Sequence, residues 1–250
     1  AQGLTAVAGW AVALQGLAAL TLLALPAAWL LRGRPAAATA AAPREGTGAV
    51  LRRALADPSY RLLAMGFFVC GFHVAFIATH LPGVVAACQL PPAIGAWSLA
   101  VIGLFNIAGS LAVGWAMGFQ GGRWRMKSLL SLIYAVRAMA VLVFVLAPKT
   151  PAVMLVFAAV IGFSYLSVVP PTAGLVARLF GPAHMATLFG VIMLVHQLGG
   201  FLGAYLGGKA FEWTGSYDWM WYADIVLATG AALVHLPIRE PRPMLQPAAG

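Results

Sequence analysis

The stretch Gly109-Ser-Leu-Ala-Val-Gly114-Trp-Ala-Met-Gly118-Phe-Gln-Gly121-Gly122-Arg123-Trp-Arg125-Met-Lys127 decides how the chain is read. Its first half is apolar with small residues down one side, its middle is a glycine turn, and Arg123, Arg125 and Lys127 follow before a new apolar run begins. An apolar span, a very short basic loop and a second apolar span is how a polytopic membrane protein reverses direction on its cytoplasmic side. Gly109, Gly114 and Gly118 are therefore expected to let a neighbouring helix approach closely. Gly121, Gly122, Arg123, Arg125 and Lys127 are expected to form a cytoplasmic loop.

Composition agrees with a membrane protein. Of 250 residues, 62% are apolar and only 8% charged, and the mean hydropathy is +0.91, whereas soluble domains carry about a quarter charged residues. The formal net charge of +9 raises the possibility of nucleic acid. Its cations, however, sit in short loops between apolar runs rather than on one polar face, which argues for membrane orientation and against a nucleic-acid partner. Cys70 and Cys88 have neither the number nor the spacing of a disulfide framework or metal site, and read as small apolar fillers. His80 and His184 fall near opposite ends of spans and make no metal pair. No phosphate-binding glycine loop ending in Lys-Ser/Thr occurs, no set of enzyme residues clusters, and neither metal nor cofactor is expected.

Seven apolar stretches are each long enough for the roughly 20 helical residues that cross a hydrocarbon core: Thr5–Leu31, Arg61–Ala86, Ile94–Phe119, Lys127–Leu146, Pro151–Val176, Ala186–Gly208 and Met220–Leu236. Their continuous rather than alternating hydrophobicity argues against a transmembrane barrel and for helices that satisfy their own backbone. Between the first two runs lies a basic stretch containing Pro35-Ala-Ala-Ala-Thr-Ala-Ala-Ala-Pro43, read as a flexible linker. With this linker inside, twelve lysines and arginines fall on the cytoplasmic side, and only Lys149 and Lys209 fall outside, a strong orienting bias that puts the C-terminus inside. The expected organisation is one helix (1–31), a cytoplasmic linker (32–60), a six-helix bundle (61–238) and a cytoplasmic tail (239–250). The chain opens on Ala1 and reads as a processed product or a piece of something longer.

The chain resembles the major facilitator superfamily. That family's loop motif reads Gly-x-x-x-Asp-Arg-x-Gly-Arg-Lys/Arg, and the matching stretch here is Gly114-Trp-Ala-Met-Gly118-Phe119-Gln-Gly121-Gly122-Arg123. Gly118 stands where the acid belongs and Phe119 where the first arginine belongs. The resemblance implies the sixth helix through the twelfth of a twelve-helix fold, hence the last helix of one half plus the whole C-terminal half. More narrowly, the run Leu175–Ala204, with Gly215-Ser-Tyr217-Asp218 and Leu236-Pro-Ile-Arg239-Glu240, resembles bacterial relatives of the monocarboxylate and oxalate/formate porters. It implies secondary transport of small organic solutes, organic anions foremost, across the bacterial inner membrane by alternating access. Drug or metabolite efflux is the second reading. A third is a truncated, non-transporting half that needs a partner chain. The partners implied are the lipid bilayer, a small solute, a missing N-terminal half in the same or another chain, and H+ as a coupling ion.

Polar residues inside apolar spans are the candidates for function, since each is costly there without a partner or a water-filled cavity. Arg137 lies about ten residues, or ~15 Å, into its span, where a charge costs at least ~2.5–3.5 kcal/mol. It reads as a binding group for a carboxylate or as a structural arginine bonding backbone carbonyls. His73 is mid-span, and its ordinary pKa of about 6.5 suits a coupling proton; an interhelical hydrogen bond is the alternative. His196 and Gln197 are mid-span beside the stripe Gly199, Gly203 and Gly207, so they read equally as packing glue or ligand contacts. Asn106 sits one turn before Gly109. Tyr165 flanks Pro170-Pro171, which should kink or break the fifth span. Asp224 is the one acid inside a span, and its place among Trp213, Tyr217, Trp219, Trp221 and Tyr222 reads as an outer interfacial belt.

Overall fold

The computed structural model describes residues 2–22, 25, 26, 29, 46–118 and 124–241, and every regular element among them is an α-helix. Gly121, Gly122 and Arg123 of the basic loop, residues 32–45 of the expected linker and the tail beyond residue 241 lie outside the described residues. The chain divides into two units, 1–45 and 46–250. In the first, α1 (Gln2–Leu22) is interrupted at Gly9, whose φ of 82° only glycine adopts without strain, leaving Gly9–Leu22 as its regular apolar part.

The second unit begins earlier than the apolar pattern implies. Residues 47–56, expected to be linker, form α2 (Thr47–Ala56), which buries Val50 and Ala54 against the following helices. Those two positions are four apart and so share one face of a helix. Asp57 then ends α2 and caps α3 (Pro58–Ala87), its Oδ1 accepting from the backbone N–H groups of Ser59 (2.7 Å) and Tyr60 (3.2 Å). Pro58 occupies the first turn, where its missing N–H costs nothing. The chain continues through α4 (Pro92–Gly118), α5 (Met126–Leu146), α6 (Pro151–Ser164), α7 (Val169–Phe180), α8 (Pro182–Thr214) and α9 (Asp218–Val234). Five segments, Pro58–Ala87, Pro92–Gly118, Met126–Leu146, Pro151–Phe180 and Pro182–Thr214, are long and apolar enough to span a membrane. At 17 residues α9 is ~26 Å long, short of a ~30 Å hydrocarbon core.

Packing is pairwise: α3 lies along α8, α4 along α6, and α5 along α9. Glycine makes the closest of these contacts possible. A Cβ added to Gly199 would lie 2.0 Å from the Phe68 carbonyl oxygen, one on Gly203 2.1 Å from that of Phe72, and one on Gly207 2.4 Å from the His80 ring. On the facing helix, a Cβ on Gly71 would lie 1.9 Å from the His196 oxygen. Gly109 does the same for α4, where an added Cβ would lie 1.8 Å from the Phe163 oxygen. Gly114 and Gly118, expected on the same seam, are where an added Cβ would meet nothing within 4 Å among the described residues. The close approach of α4 to α6 ends near Gly109, whose facing residue Phe163 is one short of the C-terminus of α6. Leu104, Leu111 and Trp115 on α4, and Leu194, Leu198 and Phe201 on α8, stay exposed.

Candidate functional site

The fifth span is not one helix. Pro170 and Pro171 have no N–H to donate, so the helical ladder cannot run through them, and residues 165–168 form turns between α6 and α7. The Val169 N–H turns back to the Leu166 carbonyl at 2.9 Å. Carbonyls at the end of α6 are thereby left for other donors. Arg137 of α5 takes them: its Nη2 donates to the oxygens of Ser164 and, at 3.0 Å, Tyr165. The Cys70 thiol of α3 lies 3.8 Å from the same Tyr165 oxygen. On the other strand of the break, Asn106 Oδ1 of α4 accepts from the Leu166 N–H at 3.0 Å, and the Tyr165 hydroxyl donates to the Val74 carbonyl of α3 at 2.8 Å. Three sequence candidates, Arg137, Asn106 and Tyr165, thus meet at one interrupted helix.

Arg137 is completely buried, and its Nε and Nη1 find no hydrogen-bond partner among the described residues. Beneath it lies the ring of Tyr134, 5.1 Å from the guanidinium carbon, a distance at which a cation is attracted to an aromatic face. Tyr134 is itself fixed by its hydroxyl, which donates to the Gly66 carbonyl at 2.6 Å, and by stacking on His235 at 5.1 Å.

His73 does not stand alone. Its Nδ1 is 2.7 Å from Asp224 Oδ1 and 2.6 Å from Oδ2, and both side chains are fully buried. Asp224, expected at the outer interface, is instead buried inside the bundle against His73. Tyr217, at the start of α9, packs on Phe76 and His80, and its hydroxyl sits where a Cβ on Gly83 would be, at 2.5 Å. The short α9 therefore starts below the end of the longer α3, and Asp224 arrives level with His73. One buried histidine and one acid in the spans was a signal that could have suggested the pair. Cys70, Tyr134 and His235 offered none, being ordinary core residues by pattern.

His196 and Gln197 lie at the margin. His196 is half-buried with its ring 5.0 Å from that of Phe67, and its Nδ1 is 3.0 Å from Oε1 of the exposed Gln197.

A second polar site closes the other end of the bundle. The Glu240 carboxylate accepts from the N–H groups of Met126 and Lys127, both at 3.1 Å, and from Arg178 Nη1 at 2.7 Å. It thus neutralises the positive N-terminus of α5. Lys127 Nζ donates to the Leu236 carbonyl at 2.6 Å. An acid from the far end of the chain thus sits at the start of α5, directly after the basic loop. Arg125 is the N-cap of α5 and makes no side-chain cap bond.

Comparison with known proteins places these features. The chain is 28% identical over 176 residues to YcxA, an uncharacterized MFS-type transporter of Bacillus subtilis (strain 168), in an alignment covering 70% of this chain and 43% of that relative. The chain thus spans less than half the length of the relative it matches. The profile of the Major Facilitator Superfamily matches residues 1–204. With its all-helical apolar bundle and a match over most of its length, the chain belongs to the Major Facilitator Superfamily.

Proposed function

We propose that the chain supplies the sixth helix and the C-terminal six-helix half of a secondary transporter, which moves small organic anions, monocarboxylates foremost, across the bacterial inner membrane by alternating access. The single observation that carries the solute class is Arg137, a fully buried guanidinium whose Nε and Nη1 have no hydrogen-bond partner among the described residues. A planar fork of N–H donors in a low-dielectric interior gains most from a planar anion such as a carboxylate. The likeness of Leu175–Ala204 to the monocarboxylate and oxalate/formate porters leads to the same class. The uncovered apolar faces of α4 and α8 support a second half of the molecule packing there. The cation distribution supports a cytoplasmic C-terminus.

Uptake of labelled monocarboxylates by inner-membrane vesicles carrying the full-length protein tests this. Arg137→Ala is expected to lower uptake at least ~10-fold, the loss typical of one charge-assisted contact. Uptake unchanged in Arg137→Ala removes the anion-binding role. Extrusion of apolar dyes without carboxylate uptake would favour an efflux permease.

A further inference from the structure

We propose that Cys70 selects which anions fit the Arg137 site. Its thiol stands where the carbon chain of a bound carboxylate begins, and the size of the side chain at this position limits that chain. This selection rests on the anion reading of Arg137 given above and adds to it a residue that discriminates among acids.

The thiol and the guanidinium converge on one atom. The Tyr165 carbonyl oxygen accepts from Arg137 Nη2 at 3.0 Å and lies 3.8 Å from the Cys70 sulfur. Arg137 from α5 and His196 from α8 both act on that thiol. Cys70 and Arg137 are fully buried, and the N–H groups at Nε and Nη1 have no hydrogen-bond partner among the described residues. A buried donor without an acceptor costs about 1–3 kcal/mol, and a neighbouring sulfur, being a weak acceptor, offsets little of it. A carboxylate satisfies this edge, and its carbon chain then lies against the thiol. Cysteine suits that place because it is small and largely apolar, and as a neutral thiol it brings no charge to compete for the guanidinium.

The helices around Cys70 fix how much room there is. A Cβ on Gly71, the next residue of α3, would lie 1.9 Å from the His196 oxygen, and one on Gly199 would lie 2.0 Å from the Phe68 oxygen. Here α3 and α8 touch backbone to backbone, and a close-packed interior does not yield even a methyl group's width without cost. The space beside Arg137 is therefore set by the side chain at position 70. The approach has the same order. On α8, Leu194, Leu198 and Gln197 are exposed and His196 is half-buried, whereas Cys70 and Arg137 behind them are completely buried. From the uncovered face of α8 inward, the polar side chains run Gln197, His196, Cys70, Arg137.

Alkylation by iodoacetate and by its neutral analogue iodoacetamide tests this in vesicles carrying the full-length protein, each cysteine being read by peptide mass spectrometry. In either reaction the sulfur displaces iodide, a carbon–sulfur bond replaces the carbon–iodine bond, and the thiol proton goes to buffer. Cys88, beyond the end of α3, reports the intrinsic difference between the two reagents. Relative to Cys88, Cys70 is expected to favour the anionic reagent by at least ~10-fold, the worth of one charge-assisted contact. Acetate should slow the labelling of Cys70 by iodoacetate and leave that of Cys88 unchanged, a comparison that needs no variant. In folded Arg137→Ala, checked by circular dichroism, the preference should vanish. In uptake, Cys70→Val is expected to shift selection from butyrate toward acetate and Cys70→Ala the reverse, each by about 10-fold, as for a methylene-sized change in a pocket. Equal reagent ratios at the two cysteines, or a Cys70 that neither reagent reaches, overturns the proposal. So does one acetate-to-butyrate ratio shared by wild type and both variants; carboxylate uptake intact in these cases leaves the transport reading standing. Iodoacetate preference and acetate protection at Cys70 in a protein that moves no carboxylate support the site and remove the transport reading instead.

Discussion

Arg137 bonds the two carbonyls that the Pro170-Pro171 break leaves open. Both acceptors are inside the bundle, so removing the donor exposes each to the full penalty of an unsatisfied buried group, about 1–3 kcal/mol. Arg137→Ala is expected to lower the thermal midpoint of the detergent-purified protein markedly. Arg137→Lys, which keeps the charge and loses the fork, should fall between it and wild type. Tryptophan fluorescence on heating reads the order, and an alanine variant as stable as wild type would show that the carbonyls find other donors. The depth of Arg137 and His73 was legible because a span has a start that can be counted from. Asp224 was not, because its depth is set by where a short helix begins beside a longer one, and local pattern carries no such offset.

At the level of elements, the glycine seam between α3 and α8 and the cap on α5 make separable predictions. Gly199→Leu places side-chain atoms where the Phe68 carbonyl already sits. Overpacking of this kind costs typically 1–3 kcal/mol and more where backbone must move, so this variant should unfold at a clearly lower temperature. Gly114→Ala meets open space and gains helix propensity, so it should be neutral or slightly stabilising. Equal effects at the two positions, measured by circular dichroism on heating, would contradict the seam. Glu240→Gln keeps one acceptor oxygen for the N–H groups of Met126 and Lys127, puts a non-accepting amide nitrogen in place of the other, and removes the charge that faces the helix N-terminus and Arg178. A loss of about 1 kcal/mol is expected, shrinking as salt is added. The glycine spacing was readable from sequence in both stripes, yet only the facing helix decides where a stripe is used: among the described residues Gly109 has a neighbour and Gly114 has none.

For the whole molecule, orientation is the testable quantity. Cys88 follows the end of α3 on the side opposite the basic loops and is half-buried, whereas Cys70 is fully buried in the bundle. A membrane-impermeant maleimide added to intact cells should modify Cys88 and spare Cys70. Burial pushes the Cys88 thiol above its ordinary value, and since the thiolate is the reacting form, labelling should accelerate as pH rises from about 7 to about 9. Labelling of Cys88 only after the cells are opened would invert the topology. Sequence alone determined that this is a helical membrane protein, how its basic loops are distributed and which polar residues lie inside its spans. Those follow from hydrophobicity and charge, which act residue by residue against the bilayer. Tertiary structure alone decided that Asp224 meets His73, that Arg137 bonds a broken helix and that Glu240 caps a helix more than a hundred residues earlier. Each joins side chains distant in the chain, and their meeting depends on helix lengths, offsets and facing partners that no local pattern encodes.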